Sequence, residues 1–145
     1  MSKPEQLPNV PKLGFYGNPS KCFNFIHIQS CKDKISYVRC ADHELAKGHP
    51  ENYDLFKEEL ARSLDLDPYS EVFMDFFVNN YRCMGGGYCQ IMADDWKYFK
   101  EGMESKCWIN GKSSTYGPAD MDLVKKVIEE SEKFDKVTIG EPFSN

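Results

Sequence analysis

Apolar residues recur at three- and four-residue intervals in several stretches of the chain, the spacing of one face of an α-helix. After Pro50, Tyr53, Phe56, Leu60 and Leu64 share a face. After Pro68, a second and more apolar stripe of Val72, Phe73, Phe76, Phe77 and Tyr81 runs up to Gly85, Gly86 and Gly87. Tyr88, Ile91, Met92, Trp96, Phe99 and Met103 make a third stripe, and Met121, Val124, Val127, Ile128 and Phe134 a fourth. Asn18-Pro19, His49-Pro50, Asp67-Pro68 and Gly117-Pro118 each place a cap-like residue before a proline, which the first helical position tolerates because its N–H is unpaired there. Three consecutive glycines stop a helix through backbone entropy and free choice of φ. Segments 69–83 and 88–105 are therefore expected to pair as an antiparallel helical hairpin about the glycines.

Two regions read differently. In residues 20–40, Ile28, Cys31, Ile35 and Val38 keep a helical spacing and predict a helix interrupted near Lys32. The same residues also read as two short strands, Phe23 to Ile28 and Ile35 to Val38, around Cys31, Lys32, Asp33 and Lys34. Residues 1–17, with Pro4, Pro8 and Pro11, predict an extended arm, since each proline removes a backbone donor and turns its predecessor away from helix. The expected fold class is mainly α: an arm over 1–17, a helical cysteine-containing core over 18–109, and a turn, C-terminal helix and tail over 110–145. No fixed-period repeat interrupts this division.

Composition narrows the class. The chain has 145 residues, 41% hydrophobic and 14% aromatic, enough for one small domain whose core is built largely from Phe and Tyr. No apolar run approaches ~18 residues, so no membrane-spanning helix is expected, and a peripheral place on a membrane complex fits that. Eighteen basic against twenty-three acidic residues give −5. Residues 1–40 hold six basic and two acidic residues, whereas 41–80 hold three and ten, a net of −7. An acidic chain repels phosphate, so nucleic acid is not an expected partner. The asymmetry fits a basic arm against an acidic surface, its own or a partner's. The N-terminal residues contain neither the apolar stretch of a secretory signal nor the arginines of a mitochondrial presequence.

Catalytic patterns are weak. His27, His43 and His49 lie in one segment, and no local signature pairs them with a cysteine nucleophile. Asp94-Asp95 reads as solvated charge. Gly111-Lys112-Ser113 resembles the end of a phosphate loop, but Lys106 stands where the first glycine belongs. No enzyme activity and no cofactor are expected. Cys31, Cys40, His43 and His49 supply soft sulfur and imidazole ligands of the kind zinc takes, yet the eight-residue gap offers no tight knuckle. Metal is therefore not expected, and this set defines an alternative: a zinc-stabilised cytosolic or nuclear protein-binding module.

The six cysteines are Cys22, Cys31, Cys40, Cys83, Cys89 and Cys107. In a reducing compartment they would be buried thiols or ligands; in an oxidising one an even count suggests bridges. Cys22-x8-Cys31-x8-Cys40, followed by Cys83 and Cys89, resembles the twin-cysteine helical-hairpin proteins of the mitochondrial intermembrane space. That resemblance implies import without a presequence, folding by oxidation and service as an accessory subunit of a respiratory complex. All six cysteines are then disulfide candidates. Cys83 and Cys89, at helix ends beside the glycine turn, are the pair expected to bridge, with a long-range bridge from Cys22 or Cys40 to the hairpin as the competing pairing. The function expected is non-catalytic: a subunit that stabilises a larger assembly through contacts with other proteins, in the intermembrane space or on the inner membrane, with a cytoplasmic home as the alternative.

Overall fold

The computed structural model describes residues 9–92 and 105–141. It corrects the mainly α expectation: the described residues form a six-stranded mixed sheet with helices on both faces. The strands are β1 (Leu13–Tyr16), β2 (Cys22–Ser30), β3 (Ser36–Asp42), β4 (Tyr81–Met92), β5 (Lys106–Asn110) and β6 (Lys136–Ile139). The helices are α1 (His49–Ser63), α2 (Glu71–Asn80) and α3 (Met121–Glu130). Sheet order is β1-β3-β2-β4-β5-β6. The central pairs are antiparallel, whereas β1 joins β3 and β6 joins β5 in parallel. A parallel pair needs a crossover, and α3 supplies the one between β5 and β6.

The helices fall where the apolar stripes put them. Ser70 caps α2 by accepting a hydrogen bond from the Phe73 N–H at 3.3 Å, and Asp120 caps α3 by accepting one from Leu123 at 3.2 Å. Proline sits near the start of α1, whose cap is Gly48. On the sheet side of α1, Phe56, Leu60 and Ala61 are buried.

Residues 20–40 form two strands, not the favoured helix. Both faces of β2 and β3 are covered, so nearly every residue is buried and no alternation marks the strand. Within the expected arm, Leu13–Tyr16 pairs with Val38–Ala41 as a strand of the sheet. After α3, Lys136–Ile139 docks on β5 as the last strand. The helical hairpin does not form. Gly85, Gly86 and Gly87 lie inside β4, and the second predicted helix begins as strand; its 93–104 part lies outside the described residues.

Packing accounts for the glycines. A Cβ on Gly86 would lie 2.7 Å from the Phe25 carbonyl oxygen and 2.8 Å from the His49 ring. Gly85 adopts φ 150° and would meet the Pro118 carbonyl oxygen at 2.3 Å. A bare strand is what lets α1 and the 113–119 loop approach β4.

Two cores result. Over one face, α1 and α2 bury Ile26, Ile28, Tyr37, Phe56, Phe73, Phe77 and Tyr81. Over the other, α3 buries Phe25, Val38, Ile109, Val124 and Ile128 together with Cys22, Cys40, Cys89 and Cys107.

Candidate functional site

Among the described residues, chemistry-bearing side chains gather in four places. The first is buried against α1. Arg39, fully buried, pairs its Nε with Glu59 Oε1 at 2.9 Å, donates to the backbone oxygens of Pro11 and Lys12, and lies 5.1 Å from the Phe56 ring centre. The Tyr16 hydroxyl donates to the same carboxylate. Burial, set against the pull of Arg39, holds that phenol well above its usual range. Hydrogen bonding satisfies the ion pair on several sides, so it ties β1, β3 and α1 together.

The second place is a histidine–serine pair that the sequence does not announce. His27 Nε2 lies 2.9 Å from Ser36 Oγ across β2 and β3. Burial pushes the imidazole down, with Asp120 opposing, so the ring is neutral at pH 7. His27 Nδ1 has no hydrogen-bond partner. A nucleophile needs a base held by a third group and a substrate at its oxygen. Here the third contact is missing, and His27 and Ser36 are 1% and 8% exposed.

The third is a thiol cluster. A bulge in β2 between Cys22 and Asn24 turns Cys22 onto the α3 face, where Cys40 and Cys89 already point. Hydrogen bonding to Cys22 and Cys40, then burial, raises the Cys89 thiol well above its usual range. Burial does the same for Cys107. These groups are protonated, and a thiol is a poor nucleophile and a poor ligand.

All six cysteines are free thiols. The hairpin geometry behind a Cys83–Cys89 bridge is absent: the two stand on one strand, six residues and so about 20 Å apart, beyond the ~7 Å limit between α-carbons. Cys22 and Cys40 lie on β2 and β3, and Cys31 in the turn between them. The alternative zinc set is not brought together. Cys40 faces the α3 side, while His49 reaches from α1 on the opposite side to the Gly87 carbonyl at 2.8 Å. His43 is exposed and packs edge-on to Phe23. Among the described residues, no three His, Cys, Asp or Glu are placed to hold a metal.

The fourth place is open to solvent. Between α1 and α2 lies a cavity of about 330 Å³ whose floor is Phe73 and Phe77 and whose rim includes Tyr69, Met74 and Val78. These three rim residues are 77%, 53% and 74% exposed, large values for apolar side chains. Lys57 closes one side, 3.7 Å from Asp54 and with its ammonium 5.0 Å from the Tyr53 ring centre. A second hollow of about 290 Å³ shares Lys57, Phe77 and Val78 and extends the groove toward Tyr81, Arg82 and Tyr116. Burial raises the Tyr53 and Tyr81 phenols, so both stay protonated.

The sequence held one signal for this groove. Val72, Phe73, Met74, Phe76, Phe77 and Val78 give a ten-residue helix more apolar positions than one buried face can use. No helix of the described residues is long and apolar enough to cross a membrane. No protein-family model matches the chain, and no curated protein is recognisably similar to it.

Proposed function

We propose that the protein is a non-catalytic binding subunit that docks to another protein through the groove between α1 and α2. The observation that carries this is the exposure of Tyr69, Met74 and Val78 around a cavity floored by Phe73 and Phe77. Exposed apolar residues gathered around a concave floor are what a helix-in-groove or peptide site presents. The groups with catalytic chemistry, His27, Ser36 and the clustered thiols, are buried and lie on the other face of the sheet. The reading keeps the accessory role expected from the sequence. It commits to no particular complex.

Selection from a displayed library of random peptides tests the reading. Enriched peptides should bind the wild-type protein and lose most of that binding to Val78→Gln, which changes an exposed side chain on a helix. Failure to enrich, or enrichment indifferent to Val78→Gln and Met74→Gln alike, would remove the groove as the site.

A further inference from the structure

The groove's surroundings carry information about what fills it. Asp54 and Glu58 line it directly, and Asp54 keeps a side chain 69% exposed despite the contact with Lys57. Asp67 precedes the Pro68-Tyr69 rim, and Glu71 and Asp75 are exposed on α2 beside Met74 and Val78. The span 41–80, which contains both helices, has a net charge of −7. Lys57 is the cation within the cavity, and its charge is already directed to Asp54 and to the Tyr53 and Phe77 rings. Arg82 stands beyond it, in the second hollow. An apolar floor with an acidic rim attracts a segment of opposite pattern, apolar on one side and basic along its flanks.

Resting on the docking role proposed above, we infer that the partner of the α1–α2 groove is a basic amphipathic segment of another protein, with large aliphatic or aromatic anchors on one face and Lys or Arg on its margins. The anchors enter between Phe73, Phe77 and Val78. The flanking cations meet Asp54, Glu58 and Asp75 at the solvent-facing rim, where the pairs act on encounter rate and on partner choice more than on affinity. A helix is the conformer that fits best, because a cavity between two helices receives side chains spaced three and four residues apart. The opposite pattern, an acidic segment, would bring like charges together along the whole rim.

The test uses two synthetic probes, a fluorescein-labelled amphipathic peptide of Leu and Lys and its counterpart of Leu and Glu, titrated against the full chain by anisotropy. The Leu–Lys peptide should bind, weaken about tenfold as salt is raised from low to several-fold physiological strength, and weaken again by about tenfold with Asp54→Asn combined with Glu58→Gln. It should also be weakened by Val78→Gln, which leaves the charges in place. Preference for the Leu–Glu peptide, or equal binding of both, overturns the inference about charge; if that binding still depends on Val78, the groove stands as a docking site. Binding of the Leu–Lys peptide that ignores Val78→Gln and Met74→Gln is attraction to an acidic surface and overturns the inference. So does self-association of the free chain abolished by Val78→Gln, because the occupant is then a second copy.

Discussion

The two faces of the sheet are packed by different chemistry. Under α1 and α2, Tyr37 lies 5.7 Å and Phe77 6.3 Å from Phe56, ring centre to ring centre, and Phe77 stacks on Tyr81 at 5.5 Å. Under α3 the core is aliphatic and sulfur-bearing, with four thiols among Val38, Ile109, Val124 and Ile128. Aromatic rings fill the volume under the two helices, and the groove rimmed by exposed Tyr69, Met74 and Val78 lies on that side. Small thiols let one helix lie close to the strands. The aromatic face therefore carries the groove of exposed apolar side chains, whereas the four thiols of the α3 face are buried.

Thiol reactivity gives the sharpest separation of the two. Cys31 and Cys83 are partly exposed, whereas Cys22, Cys40, Cys89 and Cys107 are buried. In native protein a maleimide should label Cys31 quickly, Cys83 more slowly because little of it is thiolate, and the other four only through unfolding, slower by about a thousandfold or more if the domain has ordinary stability. Mass spectrometry of the labelled chain counts them. Burial pushes the Cys83 thiol up to about 11, so its rate should rise roughly tenfold per pH unit through the neutral range. Rapid labelling of all six would show that α3 does not seal its face. Two further thiols lost to a disulfide in freshly isolated protein would point to an oxidising compartment.

The next effect in size lies on the aromatic face. Phe56 is fully buried between Tyr37, Phe77 and Arg39. Phe56→Ala should cost ~3–5 kcal/mol in urea unfolding. Phe76, on the same helix as Phe77, is only partly buried and should cost less on truncation. An unchanged midpoint for Phe56→Ala would mean that the aromatic cluster contributes little to the fold.

Gly86 tests where the faces meet, because α1 presses His49 onto the strand there. Gly86→Ala sets a methyl 2.7 Å from the Phe25 carbonyl oxygen and 2.8 Å from the His49 ring. The ring can tilt, but the backbone oxygen belongs to a paired strand, so a cost of about 1–3 kcal/mol is expected. A neutral outcome would show that β4 shifts freely against β2.

How much of this was legible follows from the same division. The helices α1, α2 and α3 were readable because each has one buried side and one solvated side, which writes a 3.6-residue period. The strands β2 and β3 are buried on both sides, and Ile28, Cys31, Ile35 and Val38 then matched a helical spacing by coincidence. The glycines of β4 read as a stop because the reason for them, His49 and Pro118 against the strand, is brought there only by the fold. Short edge strands such as β6, whose partner lies some thirty residues earlier, leave no local mark. The groove was half legible. Surplus apolar residues on α2 were visible, but which of them stay exposed depends on where α1 lies.

The smallest expected effect concerns pH, and it singles out the thiol face. His27 points to that side, beneath the start of α3, and burial pushes its pKa down while Asp120 pulls the other way. Its Nε2 is engaged with Ser36, and Nδ1 has no hydrogen-bond partner to share a second proton. In the unfolded chain the ring takes up a proton near the ordinary value of about 6.5; in the folded protein it resists until lower pH. Over that window the unfolded state binds more protons, so stability should fall as pH falls below about 6.5 and be fully present above it. The slope from one residue stays below about 1.4 kcal/mol per pH unit, the contribution of one whole proton. Carboxylates elsewhere also titrate on acidification, so the informative quantity is a difference. The stability of the wild type minus that of His27→Gln, whose amide can still reach Ser36, should decrease between about pH 7.5 and 5. A constant difference would mean that the imidazole is as easily protonated in the fold as outside it, and that the sheet is open to water beneath α3.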